Sequence, residues 1–501
     1  MKRVCLIIPP SPFLLDERVF PSLGILRVAA SLEGQGTQVD LLDLSGVENY
    51  VEVVRAYVGR HPISRFGITA TTPQFPAVCR IEEAIRDSHP NRPLVTLGGP
   101  HPTLVAAAVK SESKAGVDGR AHKAMREMLS RFHTVVAGDG ETIPFEVMFG
   151  GGMIDADDPT GPYFMTDATY TNATREARHL IDLDSYHYSI EGHRATTLIA
   201  QLGCPFSCGF CGGRKSPMLR RIRTRPTDSI LREVESLHRD YGYTGFMFYD
   251  DEMNVSKSMV ELMDGLTDLQ SSLGTEFRLR GFVKAELFDD AQAAAMYRAG
   301  FRWLLTGFES GSPRILKNIN KKATRDENTR AVEIAKRHSL KVKALMSVGH
   351  PGESEETIAE TTDWLLRSAP EDFDCTIITT YPGTPYYDDA VLTAPGVWTY
   401  TAKSGDRLHA DELDYTVTAD YYKGAPGGGY RAYVHTDSLS SDELVSLRDT
   451  LEHTVRQVLN IPFNQSAAAI NYEHSMGQGI PASILRSTPL MSRRVVRLPV
   501  L

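Results

Sequence analysis

The stretch Gly203-Cys204-Pro205-Phe206-Ser207-Cys208-Gly209-Phe210-Cys211 places three thiols within eight positions, spaced Cys-x3-Cys-x2-Cys. Soft thiolates this close together favour zinc, copper(I) or an iron–sulfur cluster. A structural zinc wants a fourth protein ligand nearby. The nearest candidates are His193 upstream and Cys375 far downstream, and neither has zinc-finger spacing. Three thiolates around a four-iron cluster leave one iron open to a substrate. Most ferredoxin clusters take four cysteines, so a three-cysteine loop points to reactivity rather than electron storage. Six cysteines in 501 residues are far from a disulfide scaffold. Cys5, Cys79 and Cys375 read as ordinary buried thiols.

The loop follows the first of six apolar runs that alternate with helical patterns. The expected strands are 196–200, 245–249, 277–283, 303–308, 341–348 and 376–380. The helices between them are expected at 229–240, 256–270, 290–299, 326–338 and 354–368. Six β/α units in series predict a partial or complete β/α barrel. An earlier series, with strands at 4–8, 39–44, 66–69, 94–97 and 134–137, reads as a doubly wound parallel sheet. The fold class is therefore α/β. Two strands of the earlier series end in the turns Gly98-Gly99-Pro100-His101 and Gly138-Asp139-Gly140-Glu141. Ligands of open α/β sheets sit beyond such carboxyl ends, although glycine turns also serve only to reverse the chain. No G-x-G-x-x-G is present.

These patterns divide the chain into a front domain at 1–150, a linker at 151–190, a barrel at 191–390 and a C-terminal region at 391–501. The last region is expected to be small and mostly helical, with one amphipathic helix over 441–459. Hydrophobic residues make up 42% and charged residues 23%, which excludes global disorder and fibrous repeats. The net charge of −9 argues against a nucleic-acid binder. No apolar run reaches the length of a membrane span. Pro9 and Pro10 stop the first apolar run too early for a signal peptide, so a cytoplasmic location is expected.

The cysteine loop, placed after the first strand of a β/α barrel, resembles the radical SAM superfamily. Tyr249-Asp250-Asp251-Glu252 ends the second barrel strand, where that family has a motif contacting the SAM amino group. Gly307-Phe308-Glu309-Ser310-Gly311-Ser312 ends the fourth, on the ribose side. Val348-Gly349-His350-Pro351-Gly352-Glu353 ends the fifth, on the adenine side, and Tyr381-Pro382-Gly383-Thr384-Pro385 follows the sixth. A parallel-sheet domain ahead of such a barrel is similar to the cobalamin (B12)-binding branch. Pro21-Ser22-Leu23-Gly24-Ile25-Leu26, Val39-Asp40-Leu41-Leu42-Asp43 and the two glycine turns carry that likeness, which spans about residues 1 to 390.

The resemblance implies a [4Fe-4S] cluster on Cys204, Cys208 and Cys211. It implies S-adenosyl-L-methionine near Asp250, Asp251, Glu252, Glu309, Ser310 and Gly349. It also implies cobalamin, as methylcobalamin, near Gly98, Gly99, His101, Gly138, Gly140 and Glu141. The Asp-x-His-x-x-Gly signature of other cobalamin proteins is absent, so the cobalt would take no histidine from that motif. The implied reaction is methyl transfer to an unactivated carbon, or phosphorus, of a small-molecule substrate. An electron donor such as flavodoxin or ferredoxin would supply the reducing power. A non-methylating radical cyclisation or rearrangement, and a non-catalytic iron–sulfur or zinc-binding interaction protein, stand as alternatives.

Arg214, Lys215, Arg220, Arg221, Arg223 and Arg225 form a basic stretch after the loop. It reads as an anchor for substrate phosphate or carboxylate, for the cobalamin tail or for nucleic acid, or as a solvated face. Gly212-Gly213-Arg214-Lys215-Ser216 is not a phosphate loop, because an arginine splits its Gly-Lys pair. Gly307-Phe308-Glu309-Ser310-Gly311 is not a nucleophile elbow, because its serine is displaced by one. Tyr472, Glu473 and His474 are weaker substrate-site candidates, set against a surface-loop reading.

Overall fold

The computed structural model describes residues 2–14, 16–173, 175–421, 427 and 430–462. The front domain is a six-stranded parallel sheet with strands β1 (Arg3–Ile8), β2 (Gln38–Asp43), β3 (Arg65–Thr69), β4 (Leu94–Gly98), β5 (Thr134–Ala137) and β6 (Gly152–Asp155). Helices α1 (Leu23–Gly34), α2 (Tyr50–Arg60), α3 (Phe75–Ser88), α4 (Pro100–Ala115) and α5 (Arg120–Arg131) cover its two faces. The spatial order is 2-1-3-4-5-6. The winding reverses between β1 and β3, where such sheets place ligands. Val4 to Ile8 are all buried, as helices on both faces require. β6 was not expected. Gly150-Gly151-Gly152 reads as a linker, yet Gly151 and Gly152 adopt φ of +93° and +79° and turn the chain straight into a sixth strand. The front sheet therefore runs past residue 150.

Residues 185–187 of the 151–190 segment are pinned to the front domain. Arg18 donates to the Asp43 carboxylate at 2.6 Å and to Ser185 Oγ at 3.0 Å. Tyr186 donates to Asp43 at 2.7 Å, and His187 Nε2 lies 2.6 Å from Asp16 Oδ2. The Asp16 contact raises the His187 pKa above the ordinary histidine value, while burial and Arg18 oppose it. This stabilisation is fully present below the unfolded pKa and is lost as pH rises through the raised folded value. His187→Gln should therefore cost about 1 kcal/mol at pH 6 and less at pH 9, because the imidazole is part-exposed and screened. Thermal melts across that range check it; a pH-independent difference would remove the ion pair from the account.

The second unit opens with β7 (Ser189–Ile190) and β8 (His193–Leu198). A short antiparallel pair, β9 (Gln201–Leu202) and β10 (Arg223–Thr224), brackets the cysteine loop. The sheet continues with β11 (Gly245–Phe248), β12 (Arg278–Phe282), β13 (Phe301–Glu309), β14 (Lys341–Val348) and β15 (Asp372–Ile377). Its order is 15-14-13-12-11-8-7, parallel except for β7. β15 and β7 are opposite edges of this sheet, so the barrel is partial. The intervening helices start and stop on local chemistry. Thr324 with Glu327, and Ser354 with Thr357, form capping boxes, while Gly242 and Gly274 close helices in the left-handed region.

The C-terminal region departs from the mostly helical expectation. The amphipathic helix is present at Ser441–Leu459. Ahead of it runs a four-stranded antiparallel sheet, β16 (Val391–Ala394), β17 (Val397–Thr401), β18 (Arg407–Asp411) and β19 (Val434–Thr436). Pro395-Gly396 between two β-branched and aromatic runs is the hairpin signal for it. The helix packs along β15: Glu452 accepts from Cys375 N at 2.9 Å, and Arg456 donates to Phe373 O at 2.7 Å. Tyr472, Glu473 and His474 lie outside the described residues. No helix among the described residues is long and apolar enough to cross a membrane.

Candidate active site

The cysteine loop is held open by its neighbours. Gly203 sits at φ +89°, and a Cβ there would lie 2.0 Å from Arg221 O, so only glycine fits. Gly203 N donates to Asp251 Oδ2 at 2.7 Å and Cys204 N to Leu219 O at 2.9 Å. Arg220 donates to Pro205 O at 2.6 Å and Phe206 O at 3.0 Å. From below, Gly209 N donates to Ile319 O at 2.7 Å and Asn320 Nδ2 to Ser207 O at 2.9 Å. Cys208 is buried, Cys204 half-buried and Cys211 exposed, all as free thiols. Burial pushes the Cys204 thiol up to about 11, so without a bound cation it stays protonated at neutral pH. Among the described residues no three His, Cys, Asp or Glu side chains converge on one ion-sized point. Three thiols on one braced loop are the donor set of a multi-iron cluster with one open iron.

The acidic motif after β11 divides its labour. Asp250 accepts from Ala200 N at 2.7 Å and braces the end of β8; burial pushes its carboxyl up to about 7. It is structural rather than turned to a ligand. Asp251 holds Gly203, as above. Glu252 Oε2 and Gln201 Oε1 are buried without a hydrogen-bond partner, and burial pushes the Glu252 carboxyl up to about 7. Two unpartnered acceptors beside the loop are what an ammonium donor needs. Gln201 carried no sequence signal.

Glu309 is a non-glycine residue at φ +65°, a strained conformation held by its contacts. Its Oε1 accepts from Lys321 Nζ at 3.1 Å and its Oε2 from Ser347 Oγ at 2.9 Å. Ser347 Oγ lies 2.8 Å from His350 Nε2, and His350 Nδ1 lies 3.2 Å from Tyr386 Oη. Burial lowers the His350 pKa to about 3, so the ring is neutral. A proton on Nε2 completes the chain, with Tyr386 donating to Nδ1 and His350 to Ser347. Tyr386 N donates to Gly209 O, and its ring would meet a Cβ on Gly209 at 2.8 Å. The chain thus runs from the end of β13 to the cysteine loop. Ser310 is turned away: its Oγ lies 3.0 Å from Thr361 Oγ1 and accepts from Ser312 N. Gly349, at φ +89°, faces Val434 of β19 and donates to Glu353 at 3.1 Å.

On the front sheet the expected ligand residues separate. A Cβ on Gly98 meets nothing within 4 Å, so the end of β4 opens on unfilled space. Gly99 (φ +98°) and Gly138 (φ +95°) instead allow chain-to-chain contact: their Cβ atoms would strike Thr69 Oγ1 at 2.5 Å and Ala156 C at 2.6 Å. His101 is buried under Phe75, with Nδ1 3.1 Å from Thr72 Oγ1, and burial lowers its pKa to about 3. It is a core residue, not a surface ligand. Gly140 and Glu141 turn to α1, where Ser31 donates to Glu141 O and Arg27 Nε lies 3.6 Å from the Glu141 carboxylate. The Gly-x-Gly pattern hid this, because a turn that binds a helix and a turn that binds a ligand look alike in sequence.

The strand ends of the two units face each other. Arg223 of β10 forms a buried ion pair with Asp139, which follows β5. Asp157, after β6, accepts from Ser216 Oγ at 2.9 Å and Met218 N at 2.8 Å. Leu104 of α4 reaches the loop, since a Cβ on Gly212 would lie 3.0 Å from its Cδ2. The basic stretch is largely spent on such contacts: Lys215 pairs with Asp389, Arg221 with Asp167 and Arg225 with Glu233.

Comparison with known proteins agrees with this layout. The radical SAM superfamily profile matches residues 198–365, and the B12 binding domain profile matches residues 17–129. An uncharacterized methyltransferase of Pyrococcus horikoshii is 23% identical over 395 residues, covering 78% of this chain and 83% of its own. The anaerobic magnesium-protoporphyrin IX monomethyl ester cyclase of Cereibacter sphaeroides is 24% identical, covering 64% and 53%. The radical S-adenosylmethionine methyltransferase TsrM of Kitasatospora setae, solved with cobalamin and a [4Fe-4S] cluster, shares the fold. Its TM-score is 0.59 at 16% identity, over 92% of this chain and 100% of that one. With a B12-binding domain whose strand ends meet the cysteine loop of a radical SAM domain, the chain belongs to the cobalamin-binding radical SAM family.

Proposed function

We propose that the protein is a cytoplasmic methyltransferase acting on an unactivated carbon, or phosphorus, of a small metabolite. The observation that carries this is the meeting of the two strand-end surfaces at Leu104, Gly212 and the Asp139–Arg223 pair. A methyl group carried over the front sheet would have only that interface to cross. Cys204, Cys208 and Cys211 would hold the [4Fe-4S] cluster, Glu252 and Gln201 the SAM ammonium, and the open face at Gly98 the cobalamin ring. When bound, these groups supply one-electron reduction, radical generation and the transferable methyl. The chain's own part is to fix the loop, to keep unpartnered acceptors where an ammonium would bind, and to exclude water through the docked domains. A flavodoxin- or ferredoxin-type donor would deliver the electron.

Radical cyclisation is the second reading, favoured by the cyclase relative. A substrate-free experiment separates the two. Anaerobically reconstituted protein is given reduced cobalamin and SAM with a deuterated methyl group, and the cobalamin is analysed by mass spectrometry. Methyl transfer predicts label on cobalt; unlabelled cobalamin together with released 5′-deoxyadenosine supports the cyclase reading instead.

A further inference from the structure

Two lysines lie buried against the inner side of the cysteine loop, and neither has a place in the chemistry above. Lys284, in the turn after β12, is 2% exposed, and Lys321 is 5% exposed. Lys284 Nζ stands 4.1 Å from the centroid of the Phe206 ring, two residues before Cys208. It also lies 3.4 Å from Lys321 O and 2.7 Å from Glu286 Oε1. The turn Ile319-Asn320-Lys321 runs along residues 207–209 through the two hydrogen bonds already described. Lys321 Nζ is fixed by Glu309, itself held through Ser347 and His350.

Burying an ammonium is costly unless something nearby is negative. Glu286 and Glu309 compensate one each, and Glu252 adds a third carboxylate to this group. Each ammonium still acts on the loop with its own sign: Lys284 sits on the Phe206 ring, and Lys321 lies in the turn bonded to residues 207 and 209.

We infer that Lys284 and Lys321 set the reduction potential of the cluster held by Cys204, Cys208 and Cys211, raising it by stabilising the added electron. This rests on the cluster assignment proposed above. The step takes one electron from a low-potential one-electron donor into the four-iron cluster. It forms or breaks no bond and moves no proton, and the cluster with its three thiolates goes from net charge −1 to −2. A fixed cation in a low-dielectric surrounding favours the more negative product. Both are positioning residues; neither is required as an iron ligand.

The test is an EPR-monitored redox titration of the reconstituted protein with dithionite as reductant, in the wild type and in Lys321→Met, Lys321→Arg and Lys284→Met. Iron and sulfide contents are measured in parallel. Each methionine variant should lower the reduced fraction at fixed potential about tenfold, a 59 mV downward shift for a one-electron couple. Lys321→Arg, which keeps the charge, should stay near wild type. Wild-type protein that takes up no cluster sinks the cluster assignment itself. Full clusters with unchanged potentials in both methionine variants overturn this inference alone. Should Lys321→Met fail to fold, Lys284→Met and Lys321→Arg still decide it.

Discussion

Cys208→Ala protein is expected to lose its four-iron cluster, with bound iron falling about 10–100-fold or more, since even outer-shell changes cost that much in metal affinity. Cys208 is the buried centre of the loop, followed by Gly209, whose position depends on Ile319 and Tyr386. Two remaining thiols would leave two irons without protein ligands. The front domain shares no cysteine with the loop, so cobalamin binding should persist. Cys375→Ala is the control. That thiol packs in the barrel core, and its removal should cost about 1 kcal/mol of packing while leaving iron and sulfide at wild-type levels. Anaerobic reconstitution with iron and sulfide analysis reads both. Retention of a full cluster by the Cys208 variant would end the radical SAM assignment of these residues.

Arg223→Met should produce the second large effect. Arg223 is 1% exposed and paired with Asp139 across the two units, while Tyr170 lies under both Arg223 and Arg27. Removing the guanidinium strands Asp139 beside Glu141, whose carboxyl is already pushed up to about 7 by burial and by that neighbour. Breaking one side of a buried pair costs about 3–5 kcal/mol, here measurable by urea unfolding. Because the pair joins the strand ends that would enclose cobalamin, affinity for aquacobalamin should fall about tenfold, or about 1.4 kcal/mol. The double variant Arg223→Met, Asp139→Asn removes both charges and should recover much of the stability. Wild-type stability in the single variant would show that the units dock without the pair.

The cysteine loop was legible because its chemistry lies in residue type and spacing, which do not depend on long-range folding. The barrel strands were legible for a similar reason: a strand buried on both faces is a continuous apolar run, and β14 fell at the expected bounds. Which acid of Asp250, Asp251 and Glu252 faces a ligand was not readable. The chain leaves β11 there and enters a 3-10 turn, so strand alternation no longer sets direction. His101 failed for a different reason. A histidine on an apolar helix face has no sequence mark of its own burial, and only Phe75 and Thr72, remote in sequence, make it a core residue. Lys284 and Lys321 were invisible as lone lysines in separate turns. The short strands β16 to β19 leave a weaker pattern in the sequence than the one strong helical periodicity beside them.

That C-terminal helix also covers the open side of the partial barrel. An unclosed barrel leaves a bare strand edge at β15, and bare edges template intermolecular pairing. Glu452 and Arg456 occupy the outward Cys375 N–H and Phe373 C=O that a neighbouring strand would otherwise seek. Trimming the chain before residue 441 would therefore free an adhesive edge and favour aggregation.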